Sequence, residues 1–154
     1  MTKIGAITVG QAPRVDVTSD IMPLLQGCEL LEKGGLDGLT RQQIEAFAPQ
    51  EGDYVLVSRL VDGSSVTFAE KHVLPRLQAA IDELEAQGCR LILFFCTGDF
   101  PATFHANVPL IFPNQILQGL VPLLTATGRI AVVTPSPLQL GQSKNKWEKY
   151  VPQA

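Results

Sequence analysis

Short apolar runs bounded by turn residues recur along the chain and predict β-strands. Residues 3–9 and 90–96 are apolar at nearly every position, as in strands buried on both faces of a parallel sheet. Residues 54–60 and 65–70 flank the turn sequence Asp-Gly-Ser, which predicts a hairpin. Further apolar runs predict three more strands, at residues 28–34, 108–112 and 129–133.

Apolar residues spaced three or four apart predict helices between these strands. The clearest helix is predicted at residues 71–87, where apolar side chains from Val73 to Leu84 form one stripe and Gly88 follows as the C-cap. The other helices are predicted at residues 17–26, 40–48, 114–127 and 139–149.

Residues at the helix ends support these boundaries. Thr40 and Gln43 have the spacing of a capping box. Asn114 is predicted as the N-cap of the helix at 114–127, and Gly128 as the residue that ends it. Pro23 is expected to bend or shorten the helix at 17–26, because proline removes a backbone donor.

The order of strands and helices is typical of an open α/β sheet with helices on both faces. Ligands of such sheets bind beyond the carboxyl ends of the strands. Three predicted loops occupy these ends, and they contain the candidate binding and catalytic residues. These are Gly10, Gln11 and Arg14 in the first loop, Cys96, Thr97 and Gly98 in the second, and Thr134 and Ser136 in the third.

The residue types in these loops suit a small anionic ligand. Arg14 offers a guanidinium, Thr97, Thr134 and Ser136 offer hydroxyls, and the glycines expose backbone N–H groups. Arg14 could instead pair with the nearby Asp16. The sequence contains no G-x-G-x-x-G motif and no phosphate-loop motif, so a nucleotide is not the predicted ligand.

Cys96 stands where a buried strand is predicted to end, and its thiol has two interpretations. It could be an inert, packed thiol, or a reactive acid/base group whose pKa is lowered by nearby backbone N–H groups. The second interpretation makes it the fastest cysteine to alkylate. His105 could activate it or make a structural hydrogen bond, and Asp99 is expected to stabilise a turn. Cys28 and Cys89 are predicted to be structural.

Composition excludes several classes of protein. The chain has 154 residues, 45% of them hydrophobic, which suffices for one domain with a proper core. The net charge is -3 and no basic stripe is present, so no nucleic-acid partner is expected. The absence of a signal sequence or a long apolar run predicts a cytoplasmic protein without a membrane partner. Three cysteines without Cys-x-x-Cys pairing argue against disulfides and against a metal site.

Several segments together resemble the AroM family, and through it the aspartate/glutamate (and hydantoin) racemase superfamily. The segments are IGAITVGQAPRVD, DYVLVSRLVDGSSVTFAEKHV, LILFFCTGDF, NQIL and RIAVVTPSPLQLGQSKNKW. The resemblance implies a flavodoxin-like lobe that faces a second lobe, with one cysteine from each lobe moving a proton at the substrate α-carbon without a cofactor. Cys96 matches the first-lobe cysteine. The resemblance to the AroM family itself implies no particular reaction.

The resemblance also implies a domain division. Residues 1–128 are expected to form the first lobe, and residues 129–154 to begin a second lobe that the chain does not complete. Thr97 and Gly98 stand where racemases have Asn-Thr, and residues 11–14 replace an acid and a serine. Without a cysteine from a second lobe to serve the opposite face of the substrate, racemisation by this chain should be undetectable. An unpaired strand at 129–133 predicts a homo-oligomer in which residues 129–150 contribute to the interface.

Three functional hypotheses remain open at this point. The first is an isomerase-like protein, resembling a racemase or epimerase, that acts on a small carboxylate or amino-acid-like ligand with Cys96 as acid/base. The second is a non-catalytic protein that binds a small metabolite linked to aromatic amino-acid metabolism. The third is a half-domain whose main property is self-association.

Overall fold

Two sheets organise the molecule, in a computed structural model that describes residues 1–100, 104–125 and 129–151. The strands are β1 (Thr2–Thr8), β2 (Cys28–Gly34), β3 (Val55–Arg59), β4 (Ser65–Ala69), β5 (Ile92–Phe94) and β6 (Leu110–Ile111). The main sheet is parallel throughout and has the order β2-β1-β5-β6, whereas β3 and β4 form a separate antiparallel hairpin. The parallel sheet and the hairpin are both as predicted.

Helices surround the main sheet. They are α1 (Val15–Ile21), α2 (Arg41–Glu45), α3 (Leu74–Ala86), α4 (Pro113–Leu124) and α5 (Leu140–Trp147), and short 3₁₀ turns precede α3 and α5 and follow α1. The architecture is therefore an α/β flavodoxin-like open sheet, which confirms the predicted fold class. Pro23 lies in the 3₁₀ turn after α1, where it shortens the predicted helix.

The core lies between the main sheet, α3 and the hairpin. The apolar stripe of α3 is fully buried, and Ile7, Phe68 and Ile92 are equally inaccessible on the strands that face it. Phe94 stacks on Phe112 with ring centroids 4.5 Å apart, and Phe100 and Phe104 pack against the same cluster. Phe94 therefore lies in the core, and the three partly buried phenylalanines pack against its edge.

Residues 129–133 are not a strand, contrary to the prediction. A β-strand exists only through hydrogen bonds to a neighbouring strand, and this segment pairs with none in the described part of the chain. The apolar composition of this segment is therefore not enough to make it a strand. Two of its side chains, Val132 and Val133, are exposed at 41% and 94%.

The predicted helix boundaries are partly confirmed. The capping box is present, because the backbone N–H of Gln43 donates to Thr40 Oγ1 and the N–H of Thr40 donates to Gln43 Oε1. The N-cap prediction for Asn114 is wrong: Pro113 begins α4, since its fixed φ suits the first helical position, and Asn114 is buried within the first turn. The predicted helix end at Gly128 lies outside the described residues.

The hairpin lies across the carboxyl edge of the main sheet and is attached to the loop after β1. The backbone N–H of Gln11 donates to the carbonyl of Arg59 (3.3 Å), and Gln11 Oε1 accepts from the N–H of Val61 (3.0 Å). A Cβ atom at Gly10 would lie 2.5 Å from the Arg59 carbonyl oxygen. Gly10 is therefore required for this close approach.

The last helix packs on the outer edge of the hairpin. The side-chain amide of Gln142 accepts from the N–H of Val55 and donates to its carbonyl, both at 2.8 Å, and Gln139 donates to the same carbonyl at 3.0 Å. This contact satisfies an otherwise open strand edge and places α5 beside the carboxyl ends of the main sheet. No helix in the described ranges is long and apolar enough to cross a membrane.

Candidate functional site

Cys96 lies two residues beyond the end of β5, at the carboxyl edge of the main sheet. Two cavities open there, a smaller cavity of about 290 Å³ and a larger cavity of about 600 Å³, and Cys96 and Thr97 line both. The position agrees with the prediction, because the apolar run that forms β5 carries the chain through the core and delivers the next residues to the edge.

The environment of the Cys96 thiol does not lower its pKa, contrary to the prediction. Burial raises the pKa, and the hydrogen bond from the Gly98 N–H to Sγ (3.3 Å) and the charge of Lys146 only partly oppose this effect. Desolvation disfavours the charged thiolate, and one weak hydrogen bond to sulfur is insufficient compensation. The free site therefore holds a neutral thiol at neutral pH.

Arg14 lines the larger cavity, but its guanidinium is already engaged by a carboxylate. Its Nε and one terminal nitrogen donate to the two carboxylate oxygens of Asp16 at 2.7 and 2.8 Å, and the other terminal nitrogen donates to Thr8 Oγ1 at 3.2 Å. This bond holds the pKa of the Asp16 carboxyl below its usual range. Arg14 is therefore paired with Asp16, as the alternative interpretation of the sequence predicts.

Gly10 and Gln11 lie beside the crevice and connect elements of the fold. They join the loop after β1 to the hairpin, and Gly10 O accepts from the N–H of Leu36 at 2.9 Å. Thr97 and Gly98 lie in the crevice itself, where both line the smaller cavity. A Cβ at Gly98 would lie 3.4 Å from Cys96 Sγ, so the glycine keeps a side chain from contacting the thiol.

One of the two candidate residues in the third predicted loop lies in the crevice. Thr134 lines the smaller cavity, and its Oγ1 donates to the carbonyl of Ser136 at 3.3 Å. The hydroxyl of Ser136 accepts from the N–H of Leu138 at 3.2 Å and so caps the short 3₁₀ turn before α5. Of the two, the structure brings only Thr134 together with Cys96.

Sequence reasoning missed Lys146, which lines the smaller cavity. Lys146 Nζ donates to the carbonyl oxygen of Thr97 and to Asn114 Oδ1, both at 2.9 Å. Asn114 Nδ2 in turn donates to Asp99 Oδ1 at 3.2 Å. Burial lowers the pKa of Lys146. The lysine connects α5, α4 and the Cys96 loop, which are far apart in the sequence. No local sequence motif therefore predicts its position in the site.

Tyr54 and Glu70 are two further polar groups near Cys96. The hydroxyl of Tyr54, which lines the smaller cavity, accepts from the N–H of Asp99 at 3.0 Å. Glu70 is 9% exposed, and its Oε1 has no hydrogen-bond partner among the described residues. Burial, followed by the charge of Asp99, raises the pKa of Glu70 to about 7. The sequence signal that could have identified Glu70 is its position directly after the apolar run SVTFA, where a carboxyl group is unusual.

The remaining candidates lie away from the crevice. His105 is exposed, and its backbone N–H and carbonyl are both bonded to the side chain of Gln78 at 2.9 Å. Cys89 is 3% exposed, and Cys28 lies at the start of β2, at the opposite edge of the sheet. No three acidic, histidine or cysteine side chains are grouped as metal ligands in the ranges that the structure describes.

The fold and the site define an α/β protein with an open parallel sheet and a thiol-containing crevice at its carboxyl edge. The model of the AroM family, described as "AroM protein", matches residues 4–154, and the chain belongs to that family. No curated protein matches the chain. No solved structure matches it either.

Proposed function

We propose that this crevice binds a small carboxylate and that Cys96 exchanges a proton with the carbon atom next to that carboxylate. The observation that carries the proposal is the position of the thiol, which lines both cavities at the carboxyl edge of the sheet and accepts a hydrogen bond from Gly98. The resemblance of the family to cofactor-independent amino-acid racemases supports the acid/base role.

The chemistry requires the thiolate form of Cys96. The thiol first releases its proton to solvent, and the thiolate then takes the proton from the substrate α-carbon. The electron pair left on that carbon is delocalised into the adjacent carboxylate, and the return of a proton from the thiol restores the substrate. Because Cys28 and Cys89 lie elsewhere, this thiol serves one face of the substrate. We therefore expect exchange of the α-proton without inversion.

Hydrogen exchange in D₂O tests this proposal directly. The protein is incubated with alanine, aspartate, glutamate and phenylalanine, and loss of the α-proton signal is followed by NMR. We expect exchange with the wild-type protein and with Cys28→Ser, and none with Cys96→Ser. Chiral chromatography of the same samples should show no inversion. Equal exchange by the wild-type protein and Cys96→Ser would refute the acid/base role.

A second candidate function is ligand binding without catalysis. The raised pKa of Cys96 favours it, because a neutral thiol is a poor base. In this case a small carboxylate or a metabolite of aromatic amino-acid metabolism would protect Cys96 from iodoacetamide, but α-proton exchange would be absent for every ligand that protects. The combination of the two measurements separates the candidates.

We further infer that the chain forms a homo-oligomer, with α4 and residues 129–133 at the interface between copies. The outward side of α4 is apolar, since Ile116, Leu120, Leu123 and Leu124 are between 46% and 77% exposed. We expect a dimer by light scattering at micromolar concentration and a monomer for Leu123→Glu. The variant Val61→Glu, at an exposed hairpin site, should remain dimeric. A monomeric wild-type protein would contradict this inference.

A further inference from the structure

The ammonium group of Lys146 is a partly buried cation whose hydrogen-bond partners are both neutral. It donates to the carbonyl of Thr97 and to the amide oxygen of Asn114, each at 2.9 Å. No carboxylate of residues 1–100, 104–125 or 129–151 lies within 4.0 Å of it. A lysine ammonium has three donors, so one N–H remains available. Buried charges in proteins are usually paired directly, whereas this one is connected to a carboxylate, that of Asp99, only through the side chain of Asn114.

The smaller cavity places this cation next to the thiol. Lys146, Thr97 and Cys96 line the same space, and the lysine is bonded to the residue that directly follows the cysteine. Tyr54 lines the same cavity. Because its hydroxyl oxygen accepts from the Asp99 N–H, its own proton is left to donate. An anion in this cavity would therefore meet a cation and a hydroxyl donor.

We propose that Lys146, rather than Arg14, binds the carboxylate of the ligand, and that the ligand occupies the smaller cavity between α5 and the Cys96 loop. This inference rests on the proposed function, which makes the ligand a carboxylate. Arg14 is the weaker candidate because Asp16 already occupies two of its N–H groups and neutralises its charge. Because Lys146 and Cys96 line the same cavity, a carboxylate bound to Lys146 places the rest of the ligand in a space that the thiol also lines.

Binding measurements on full-length variants test the role of Lys146. The wild-type protein is titrated calorimetrically with succinate, malate and benzoate, and with uncharged succinamide as the control ligand. We expect Lys146→Gln to weaken carboxylate binding about tenfold or more, as expected for loss of a charged hydrogen bond. The control variant is Lys144→Gln, which lies two residues earlier on α5, is exposed and pairs with Glu148. It should bind the carboxylates within about twofold of the wild-type affinity.

Localisation of the ligand by NMR supplies a test that needs no variant. Addition of the carboxylate that binds should shift the backbone amides of Gly98 and Ser143 in the smaller cavity and leave those of Ser58 and Ser65 in the larger cavity unchanged. The opposite pattern, or unchanged affinity in Lys146→Gln, overturns the assignment of Lys146 and leaves the proposed function standing. If none of the three carboxylates binds the wild-type protein and none of the four amino acids exchanges its α-proton, both are overturned.

Discussion

Glu70 should make the stability of this protein fall as the pH rises through neutrality. The side chain follows β4 directly, is 9% exposed, and has an Oε1 without a hydrogen-bond partner among the described residues. The ionised form is therefore poorly solvated in the folded protein. The isosteric variant Glu70→Gln removes the ionisation while keeping the shape of the side chain.

The magnitude follows from the difference between the folded and unfolded pKa. The pKa of Glu70 rises from 4.5 to about 7 on folding, and each pKa unit corresponds to about 1.4 kcal/mol. A raised folded pKa means that the folded state binds the proton more tightly. The contribution of protonated Glu70 to the free energy of unfolding is therefore fully present below pH 4.5 and is lost as the pH rises to about 7. The wild-type protein should lose about 3 kcal/mol relative to Glu70→Gln over this range.

Urea unfolding between pH 4.5 and 8 measures this difference. Trp147, the single tryptophan, is 8% exposed and reports unfolding by fluorescence. The carboxyls with lowered pKa values, such as Asp53 and Asp62, lose their contribution as the pH falls below this window and do not interfere. The exposed Glu51→Gln variant serves as the control and should follow the wild-type curve. A constant difference between the wild-type protein and Glu70→Gln from pH 4.5 to 8 would refute the reasoning.

Three further predictions concern the crevice and its support. Gly10→Ala should destabilise the fold by about 2 kcal/mol or more in urea unfolding, because the new Cβ would lie 2.5 Å from the Arg59 carbonyl oxygen. Gln142→Ala should cost about 1–3 kcal/mol, because it removes two hydrogen bonds of 2.8 Å to the backbone of Val55. Alkylation of Cys96 by iodoacetamide should accelerate with a pH midpoint above the ordinary value of 9.0, measured by peptide mass spectrometry.

Matched variants control these experiments. Gly141→Ala, at an exposed position in α5 with no atom within 4 Å of the new Cβ, should not destabilise the protein. Gln42→Ala, exposed on α2, should change stability by less than about 0.5 kcal/mol. Comparable destabilisation by Gly10→Ala and Gly141→Ala would contradict the role of the close contact. An alkylation midpoint at Cys96 well below 9.0 would restore the activated-thiol interpretation.

Local patterns in the sequence determined the type and order of most elements. The apolar stripe of α3, the capping box of Thr40 and Gln43 and the turn at residues 62–64 each involve neighbouring residues, so their physical cause is contained in a short stretch of chain. The same reasoning placed Cys96 at the carboxyl edge of the sheet, because a buried parallel strand must end there. The strand predicted at 129–133 failed because pairing requires a partner that the segment itself cannot supply.

Only the tertiary structure decided the chemistry of the crevice. Lys146, Asn114 and Thr97 meet because α5 docks on the hairpin and α4 begins beside the Cys96 loop, and these contacts join residues far apart in the chain. The pKa values of Cys96 and Glu70 depend on burial, which is a property of the surrounding elements rather than of the local sequence. The sequence therefore determined where the thiol lies, and the packing of distant elements determined its charge state and its neighbours.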